Sequence, residues 1–309
     1  MAARATRSAS RKARATEAVA TGPLGALSHD ELGVIFDGLA DPLEPVIAVA
    51  LSSTCLGLRT PLQAALEVLK ERNEKVVALC RKVSTWHHPC SCTELRDAER
   101  LDWGSSGLTA DDMATLGMIL RTNGLPRLRS LELFSNGFGN AGMHALCVGL
   151  GPDAAPALGY LNLLRTVFGP VGAEALAAAL GRGALPKLER LALSANRIGN
   201  HGVAALAAPL RSMPALKCLY LPQCGIGDEG LASLVANLGK DDFKKLEYLY
   251  VGDNGITDVG VARLAAAIDG GGLPALQWDT HALLGNPSSA SARSAVQAVK
   301  DALAKRSSQ

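Results

Sequence analysis

The sequence predicts an α/β solenoid, with a parallel β-sheet on one side and α-helices on the other, preceded by a small all-α module. One segment pattern recurs at nearly constant spacing, which is the signature of a repeat architecture. Its six copies begin at Ala98, Leu128, Leu158, Leu188, Leu216 and Leu246. The region ahead of them also looks helical but contains no copy. With 309 residues, 48% of them hydrophobic, the chain can bury a large core.

The copies follow the pattern L-x-x-L-x-L-x-x-N-x-Φ-x-x-x-G-x-x-x-L, where Φ is apolar, and LERLALSANRIGNHGVAAL from Leu188 is the clearest. The Leu-x-Leu alternation predicts a short strand with its leucines facing the core, because alternate side chains of a strand point opposite ways. The Ala-rich second part predicts a helix, for example over Leu231 to Leu238. Strand followed by helix, repeated, builds a parallel sheet covered by helices.

This pattern closely resembles the ribonuclease-inhibitor subfamily of leucine-rich repeats, which also occurs in NOD-like receptors and in the Ran GTPase-activating protein. The resemblance covers residues 95–287. It implies a horseshoe-shaped solenoid with the sheet on its concave face and the helices on its convex face. Because one fold can support many functions, the function has to be argued from surface residues.

The most regular positions of the repeat have structural explanations. Asparagine stands at the ninth position of three copies, as Asn136, Asn196 and Asn254. Its amide can bond to backbone groups that would otherwise be buried and unpaired where the strand turns away. Glycines later in the repeat are predicted to permit close packing, and none forms a phosphate-binding motif. They are Gly142, Gly172, Gly202, Gly230 and Gly260.

Positions three, five, seven and eight of each copy are predicted to leave the strand on the solvent side, and we call them the concave face. All four tyrosines of the chain fall there. Tyrosine suits a protein contact because it combines apolar area with a polar tip, although it is also simply favoured in strands. The candidate protein-binding residues are Glu132, Phe134, Tyr160, Asn162, Leu164, Arg165, Arg190, Tyr220, Tyr248, Tyr250 and Asp253.

The last unit departs from the repeat frame. It ends in Asn286-Pro287, but Leu276 lies two residues too early relative to Asn286. Residues 288–309 then read as a polar-faced helix. A solenoid needs an atypical end unit to cover its last apolar face, so we predict a C-terminal capping helix there.

Residues 25–94 are predicted to form a helical module and a boundary loop. A capping box begins at Ser28, and further helices are expected over Val46 to Leu58 and Leu62 to Arg81. The segment LSHDELGVIFDGLADPLEPVIAVALSSTCLGLR resembles an F-box, which docks on the adaptor of cullin-type ubiquitin ligases. That resemblance implies an adaptor-binding set of Leu27, Leu32, Ile35, Phe36 and Leu39. The alternative is a helical cap on the first repeat.

Residues 1–24 read as a disordered basic tail, because they carry five basic residues against one acid and lack large apolar side chains. A transit peptide or a nuclear-import patch are the alternatives. The sequence contains no apolar stretch of membrane-spanning length and no secretory signal. We therefore expect a cytoplasmic or nuclear protein with mostly reduced cysteines, organelle import remaining open. The net charge of +2 gives no reason to expect nucleic acid.

No catalytic motif, cofactor motif or regular metal-ligand spacing is present, so we predict that the protein is not an enzyme. The set Cys80, His87, His88, Cys90 and Cys92 is interpreted as part of a polar boundary loop, with zinc as the alternative. The leading hypothesis is a substrate-recognition subunit of a cullin-type ubiquitin ligase, monomeric outside its complex, which selects targets with its concave face. The alternatives are a small-GTPase regulator of the Ran-GTPase-activating-protein type and an innate-sensor-like scaffold.

Overall fold

The computed structural model describes residues 40–54, 63–84, 90–239, 241–277, 279, 281–287 and 293–307. The chain divides into two compact units. One comprises residues 1–81 with 91–93, and the other comprises residues 82–90 with 94–309. The second unit contains all of the described strands and carries the repeats.

The described strands form one six-stranded parallel sheet in sequence order, as the alternation of strand and helix predicts. Each strand spans three residues, and the central leucine of each pairs with the central leucine of the next. The strands are β1 Arg100–Asp102, β2 Ser130–Glu132, β3 Tyr160–Asn162, β4 Arg190–Ala192, β5 Cys218–Tyr220 and β6 Tyr248–Tyr250. The prediction of an α/β solenoid with a parallel sheet is therefore confirmed.

Ten helices lie within the described ranges, and six of them alternate with the strands. The first unit contains all of α1 Val46–Thr54 and most of α2 Gln63–Val83. The next helix, α3 Cys92–Asp97, leads into the repeats. The repeat helices are α4 Ala110–Thr122, α5 Gly139–Gly149, α6 Pro170–Gly181, α7 Gly199–Arg211, α8 Asp228–Val235 and α9 Asp258–Asp269. The last described helix is α10 Arg293–Ser307, which packs against α9.

The core of the second unit is built from the leucines of the repeat. Leu131, Leu161 and Leu191, at the centres of neighbouring strands, are each 1% exposed or less. Small residues let helices approach closely: a Cβ atom added to Gly149 of α5 would lie 2.0 Å from the carbonyl oxygen of Gly117 in α4. Leucines of the strands therefore fill the core, and glycines let the neighbouring helices α4 and α5 approach to backbone contact distance.

One helix ends earlier than its sequence predicts. The expected helix from Leu231 to Leu238 stops at Val235, because Ala236 adopts an extended backbone with ψ of 135°. Asn237 then has a positive φ of 52°, a conformation that asparagine tolerates better than most residues. Local turn chemistry overrides the helical tendency of the apolar residues here.

The seventh repeat contains a two-residue insertion, which explains the early position of Leu276. Gln277 N–H donates to the Glu247 carbonyl, in the same way that Glu247 N–H donates to the Lys217 carbonyl one repeat earlier. Farther on, Val251 N–H donates to the Ala282 carbonyl, as Leu221 N–H does to that of Tyr250. The inter-repeat bonding is thus regular on both sides, and the extra residues lie between Gln277 and Ala282.

The helical character of the N-terminal region is borne out for its described residues. The helix expected over Leu62 to Arg81 is found as α2, and the one expected over Val46 to Leu58 is found as α1 up to Thr54. In the first unit, the Asn73 side chain donates to the Pro42 carbonyl at 2.7 Å. The capping box at Ser28 and the five candidate adaptor-binding residues, Leu27, Leu32, Ile35, Phe36 and Leu39, lie outside the described residues.

Candidate protein-binding face

The ninth-position asparagines bond neighbouring repeats to each other, as predicted. Asn196 is 1% exposed, and its amide nitrogen donates to the Leu163 carbonyl at 2.7 Å and to the Leu193 carbonyl at 2.8 Å. Its amide oxygen accepts from Thr166 N–H at 3.0 Å. We call the ninth-position residues the inner ladder: Ser106, Asn136, Thr166, Asn196, Cys224, Asn254 and Asn286.

A second row of inter-repeat bonds lies at the thirteenth position and was missed from the sequence. The Asn140 amide oxygen accepts from Gly169 and Gly172 N–H, at the start of α6 in the next repeat. Asp228 does the same for α9, accepting from Thr257 and Gly260 N–H at 2.8 and 3.0 Å. A Cβ atom at Gly260 would lie 2.5 Å from the Asp228 carboxylate, so the repeat glycine leaves room for this contact.

The third and fifth positions form two continuous rows across the concave face. Parallel pairing aligns position three of each strand with position three of the next. That row reads Arg100, Ser130, Tyr160, Arg190, Cys218 and Tyr248, and the fifth-position row reads Asp102, Glu132, Asn162, Ala192, Tyr220 and Tyr250. Residues 30 apart in the chain, or 28 apart between β4 and β5, are thereby brought side by side.

The rows bring three of the four tyrosines together at β5 and β6. The rings of Tyr220 and Tyr250 stack with centroids 4.9 Å apart, and Tyr248 lies parallel to Tyr250 at 6.2 Å. The Tyr250 hydroxyl donates to Asp279 at 2.7 Å, and the Tyr248 hydroxyl donates to Gln277 at 3.0 Å. We call Tyr220, Tyr248 and Tyr250 the tyrosine cluster, a half-buried apolar surface held in one orientation by its hydroxyls.

Hydrogen bonding and burial raise the pKa values of three tyrosines of this face, Tyr160, Tyr220 and Tyr250. The hydrogen bond to Asp279, followed by burial, raises the pKa of Tyr250 well above its ordinary value. Burial raises the pKa of both Tyr160 and Tyr220. The backbone N–H of His281 and the Tyr250 hydroxyl lower the pKa of Asp279, so this side chain is an anion at the end of the tyrosine cluster.

The fourth tyrosine lies apart from the cluster and carries an arginine. The Arg190 guanidinium lies over the Tyr160 ring, 4.5 Å from its centroid. On the other side of Tyr160, Glu132 forms an ion pair with Arg100 at 2.7 Å. The face thus changes from paired charges over β1 and β2, through an arginine on a tyrosine, to stacked aromatics over β5 and β6.

Four of the remaining candidate residues lie just after the strands, at positions seven and eight, and the fifth, Asn162, is the last residue of β3. Phe134 covers Gly104 of the preceding repeat, where an added Cβ atom would lie 2.1 Å from the phenyl ring. Leu164 is half-buried, whereas Arg165 and Asp253 are exposed at eighth positions with positive φ angles. Asp253 accepts from the Gln223 amide at 3.4 Å. Asn162, predicted to face solvent, is only 8% exposed.

Arg100, Gln277 and Asp279 pair with candidate residues of the face but were not themselves among the sequence candidates. Arg100 belongs to the third-position row, and extending the repeat frame to its first copy would have identified it. Gln277, at a regular position, bonds to Tyr248, whereas Asp279 lies within the insertion that follows Gln277 and bonds to Tyr250. Since that insertion has no counterpart in the other copies, the repeat pattern contains no signal for it.

Among the described residues, no three His, Cys, Asp or Glu side chains cluster as a metal site requires. His87 and His88 of the boundary loop lie outside those residues. A cavity of about 380 Å³ at the ends of α4 and α5 is bordered by Arg182, which donates to the Cys147 carbonyl. Of the described helices, none has the length and apolar character needed to cross a membrane.

Four segments of the chain match the family model described as Leucine Rich repeat: residues 125–147, 184–207, 213–235 and 244–265. The repeats and the parallel sheet with alternating helices fit a leucine-rich-repeat protein. Such repeats are in general non-enzymatic scaffolds that bind proteins, so they indicate a protein-interaction scaffold. A search of the curated proteins gave no match.

Proposed function

We propose that this protein recognises a protein partner with its concave face and recruits that partner to a cullin-type ubiquitin ligase through its N-terminal region. The observation that supports recognition is the tyrosine cluster. Aromatic residues clustered on a surface frequently dominate the energy of protein–protein binding. The stacking and the bonds to Gln277 and Asp279 restrain the rings, so binding would cost little side-chain entropy.

The repeat spacing supports a face of the ribonuclease-inhibitor type. Strand centres recur every 30 residues except for one step of 28, so the face continues without a gap from β1 to β6. A solenoid of this kind offers a broad surface rather than a pocket. We infer that the partner lies across several repeats, with the tyrosine cluster as its main apolar contact.

Partner capture with a matched pair of variants tests this recognition. Tyr220→Ala/Tyr250→Ala truncates the tyrosine cluster, whereas Val148→Ala/Val171→Ala truncates two exposed side chains of α5 and α6. Proteins captured by the wild type are identified by mass spectrometry, and their Kd values are measured with purified components. We expect the tyrosine variant to weaken binding by about a hundredfold and the valine variant to leave it unchanged. Equal binding by both variants would exclude the concave face.

The ligase role is supported by the F-box-like sequence pattern of residues 27–59 alone. Its test is direct binding of the full chain to a purified cullin adaptor. We expect the wild type to bind and Leu32→Asp/Phe36→Asp to lose binding, because charges would replace apolar side chains in the contact. Val148→Asp/Val171→Asp carries the same charge change elsewhere and should bind normally. A wild type without adaptor binding refutes the ligase role and leaves partner recognition untouched.

A further inference from the structure

Some charged groups of the concave face have partners within the chain, whereas others do not. Over β1 and β2, Arg100 lies 2.7 Å from Glu132 and 3.7 Å from Asp102. At the other end, Asp279 accepts hydrogen bonds from Tyr250 and from His281 N–H. These groups neutralise or bond to each other within the chain. The middle of the face, over β3 and β4, is different.

Arg190 has an aromatic partner but no acidic one. In the described part of the chain, no carboxylate lies within the 4.0 Å ion-pair distance of its guanidinium. The acid next to it in sequence, Glu189, is paired with Lys217 at 3.1 Å. The Tyr160 ring centroid lies 4.5 Å from the guanidinium carbon, and this ring contact does not use up the several N–H donors of the group. Arg190 can therefore stack and bind an anion at the same time.

Asn162 supplies an unsatisfied donor beside it. Its amide oxygen accepts from Leu164 N–H at 3.1 Å, and within the described ranges its amide nitrogen has no acceptor. Because Asn162 is only 8% exposed, that nitrogen is largely removed from water, which is unfavourable for a donor without a partner. An acceptor brought by a ligand would restore the missing bond.

The immediate neighbours of these two donors are two tyrosines and one small residue, Ala192, which is itself only 8% exposed. Ala192 pairs with Asn162 on one side and with Tyr220 on the other, and it is the smallest residue of the fifth-position row. Tyr160, which carries Arg190, precedes Asn162 by two residues on the same face of β3. The Tyr160 and Tyr220 hydroxyls are protonated at neutral pH, as tyrosines ordinarily are, and burial raises their pKa values further. The groups around Ala192 are thus mainly hydrogen-bond donors.

We propose that the middle of the concave face binds the carboxylate of an Asp or Glu side chain in an acidic segment of the partner. Arg190 and the Asn162 amide would hold the carboxylate, and an apolar neighbour in the partner would contact the tyrosine cluster. Arginine pairs with carboxylates through two parallel hydrogen bonds, which gives specificity as well as affinity. This inference rests on the proposed use of the concave face for partner recognition.

Selection of random peptides displayed on phage, with the full chain as bait, tests the preference directly. Arg190→Glu reverses the charge, and Asn162→Asp removes the amide donor while keeping an oxygen that can accept from Leu164 N–H. Arg197→Glu is the matched control, since it makes the same charge change at an exposed tenth position outside the face. Arg190→Lys keeps the charge but lacks the planar fork.

We expect the wild type and Arg197→Glu to enrich peptides with an Asp or Glu next to an aromatic or aliphatic residue. Arg190→Glu should enrich Lys or Arg at that site instead, an exchange that misfolding cannot produce. For a wild-type-selected peptide, we expect a loss of affinity of about tenfold or more in Asn162→Asp and a smaller loss in Arg190→Lys. Thermal unfolding of each variant checks that the fold is retained.

Three outcomes would overturn the inference. The selected peptides could require Tyr220 and Tyr250 for binding and yet contain no preferred Asp or Glu. That result would keep the concave face as the recognition surface and refute the proposed carboxylate contact. Tighter binding of a phosphoserine peptide than of its aspartate counterpart would assign the donors to phosphate. Enrichment of no sequence at all would count against both the carboxylate and the proposed recognition of partners.

Discussion

The inner ladder and the concave face lie in the same repeats, but their residues vary in different ways from one repeat to the next. In the inner ladder, four asparagines make nearly identical bonds to the backbone of the preceding repeat. On the concave face, the aligned residues differ from strand to strand, from Arg100 to Tyr248 in a single row. A side chain that bonds the backbone faces the same geometry in every repeat, whereas a face residue meets only its neighbours' side chains. Repetition therefore indicates structure here, and variation indicates where binding can be specified.

The thirteenth-position bonds show what happens where a repeat departs from the rule. Asn140, Asn200 and Asp228 each accept from the start of a helix in the next repeat. The first and third repeats have Ala110 and Pro170 at this position, and the helices that follow them, α5 and α7, begin without a side-chain cap. The amides at these two helix starts consequently lack the side-chain acceptor that Asn140, Asn200 and Asp228 supply to the helices after them.

The largest change in stability is expected from Asn196→Ala, which removes one asparagine of the inner ladder. This substitution leaves the carbonyls of Leu163 and Leu193 and the N–H of Thr166 without their buried partner. We expect the free energy of unfolding to fall by about 3 kcal/mol. Urea unfolding followed by circular dichroism measures it, with exposed Asn123→Ala as the control, for which we expect less than about 0.5 kcal/mol. Similar losses in both would mean that the inner ladder does not stabilise the stack.

A smaller and pH-dependent effect is expected from Asp228→Ala. Losing an acceptor at the start of α9 should lower the free energy of unfolding by about 1 kcal/mol at neutral pH. Burial of Asp228 opposes ionisation, but bonds from Thr257 and Gly260 outweigh it and lower the carboxyl pKa. The stabilisation is therefore present above the ordinary aspartate pKa and is lost as the pH falls through the lowered value.

Asp228→Asn separates the hydrogen bonds from the charge. Its amide oxygen can still accept from Gly260 N–H, as the Asn140 oxygen does from Gly172 N–H. We expect a smaller loss than in Asp228→Ala, with the acid-dependent part removed. Thermal midpoints of the three proteins, measured in a series of buffers from neutral to acid pH, provide the comparison. An Asp228→Ala protein with the same acid sensitivity as the wild type would contradict the assignment.

The smallest effect should be a gain, from Val167→Gly. Val167 is 67% exposed and has a φ of 64°, which is unfavourable for a β-branched residue. Gly225 holds the equivalent position two repeats later with a φ of 71°. Relief of strain should exceed the added freedom of the unfolded chain and raise stability by about 0.5 kcal/mol. Val171→Gly, inside α6, is the control and should lower the thermal midpoint.

Several features were correctly predicted from spacing alone. The six strands, their parallel order, the buried leucines and the ninth-position bonds follow from a period that forces each copy into the same conformation. The assignment of positions three and five to one face follows from strand geometry, because alternate side chains point opposite ways. Asn162 shows the limit: its side of the strand was correct, but its near-complete burial depends on neighbours in other repeats.

The sequence by itself thus determined the architecture, since the same residue pattern in every repeat produces the same local structure. The tertiary structure alone decided which face residues act together. It places Tyr220 on Tyr250, Arg190 on Tyr160 and Asp279 at the Tyr250 hydroxyl. These contacts join residues about one repeat apart, and the last one depends on an insertion that interrupts the pattern. Side-chain partners across a stack are set by packing and local irregularity, which a repeat period does not encode.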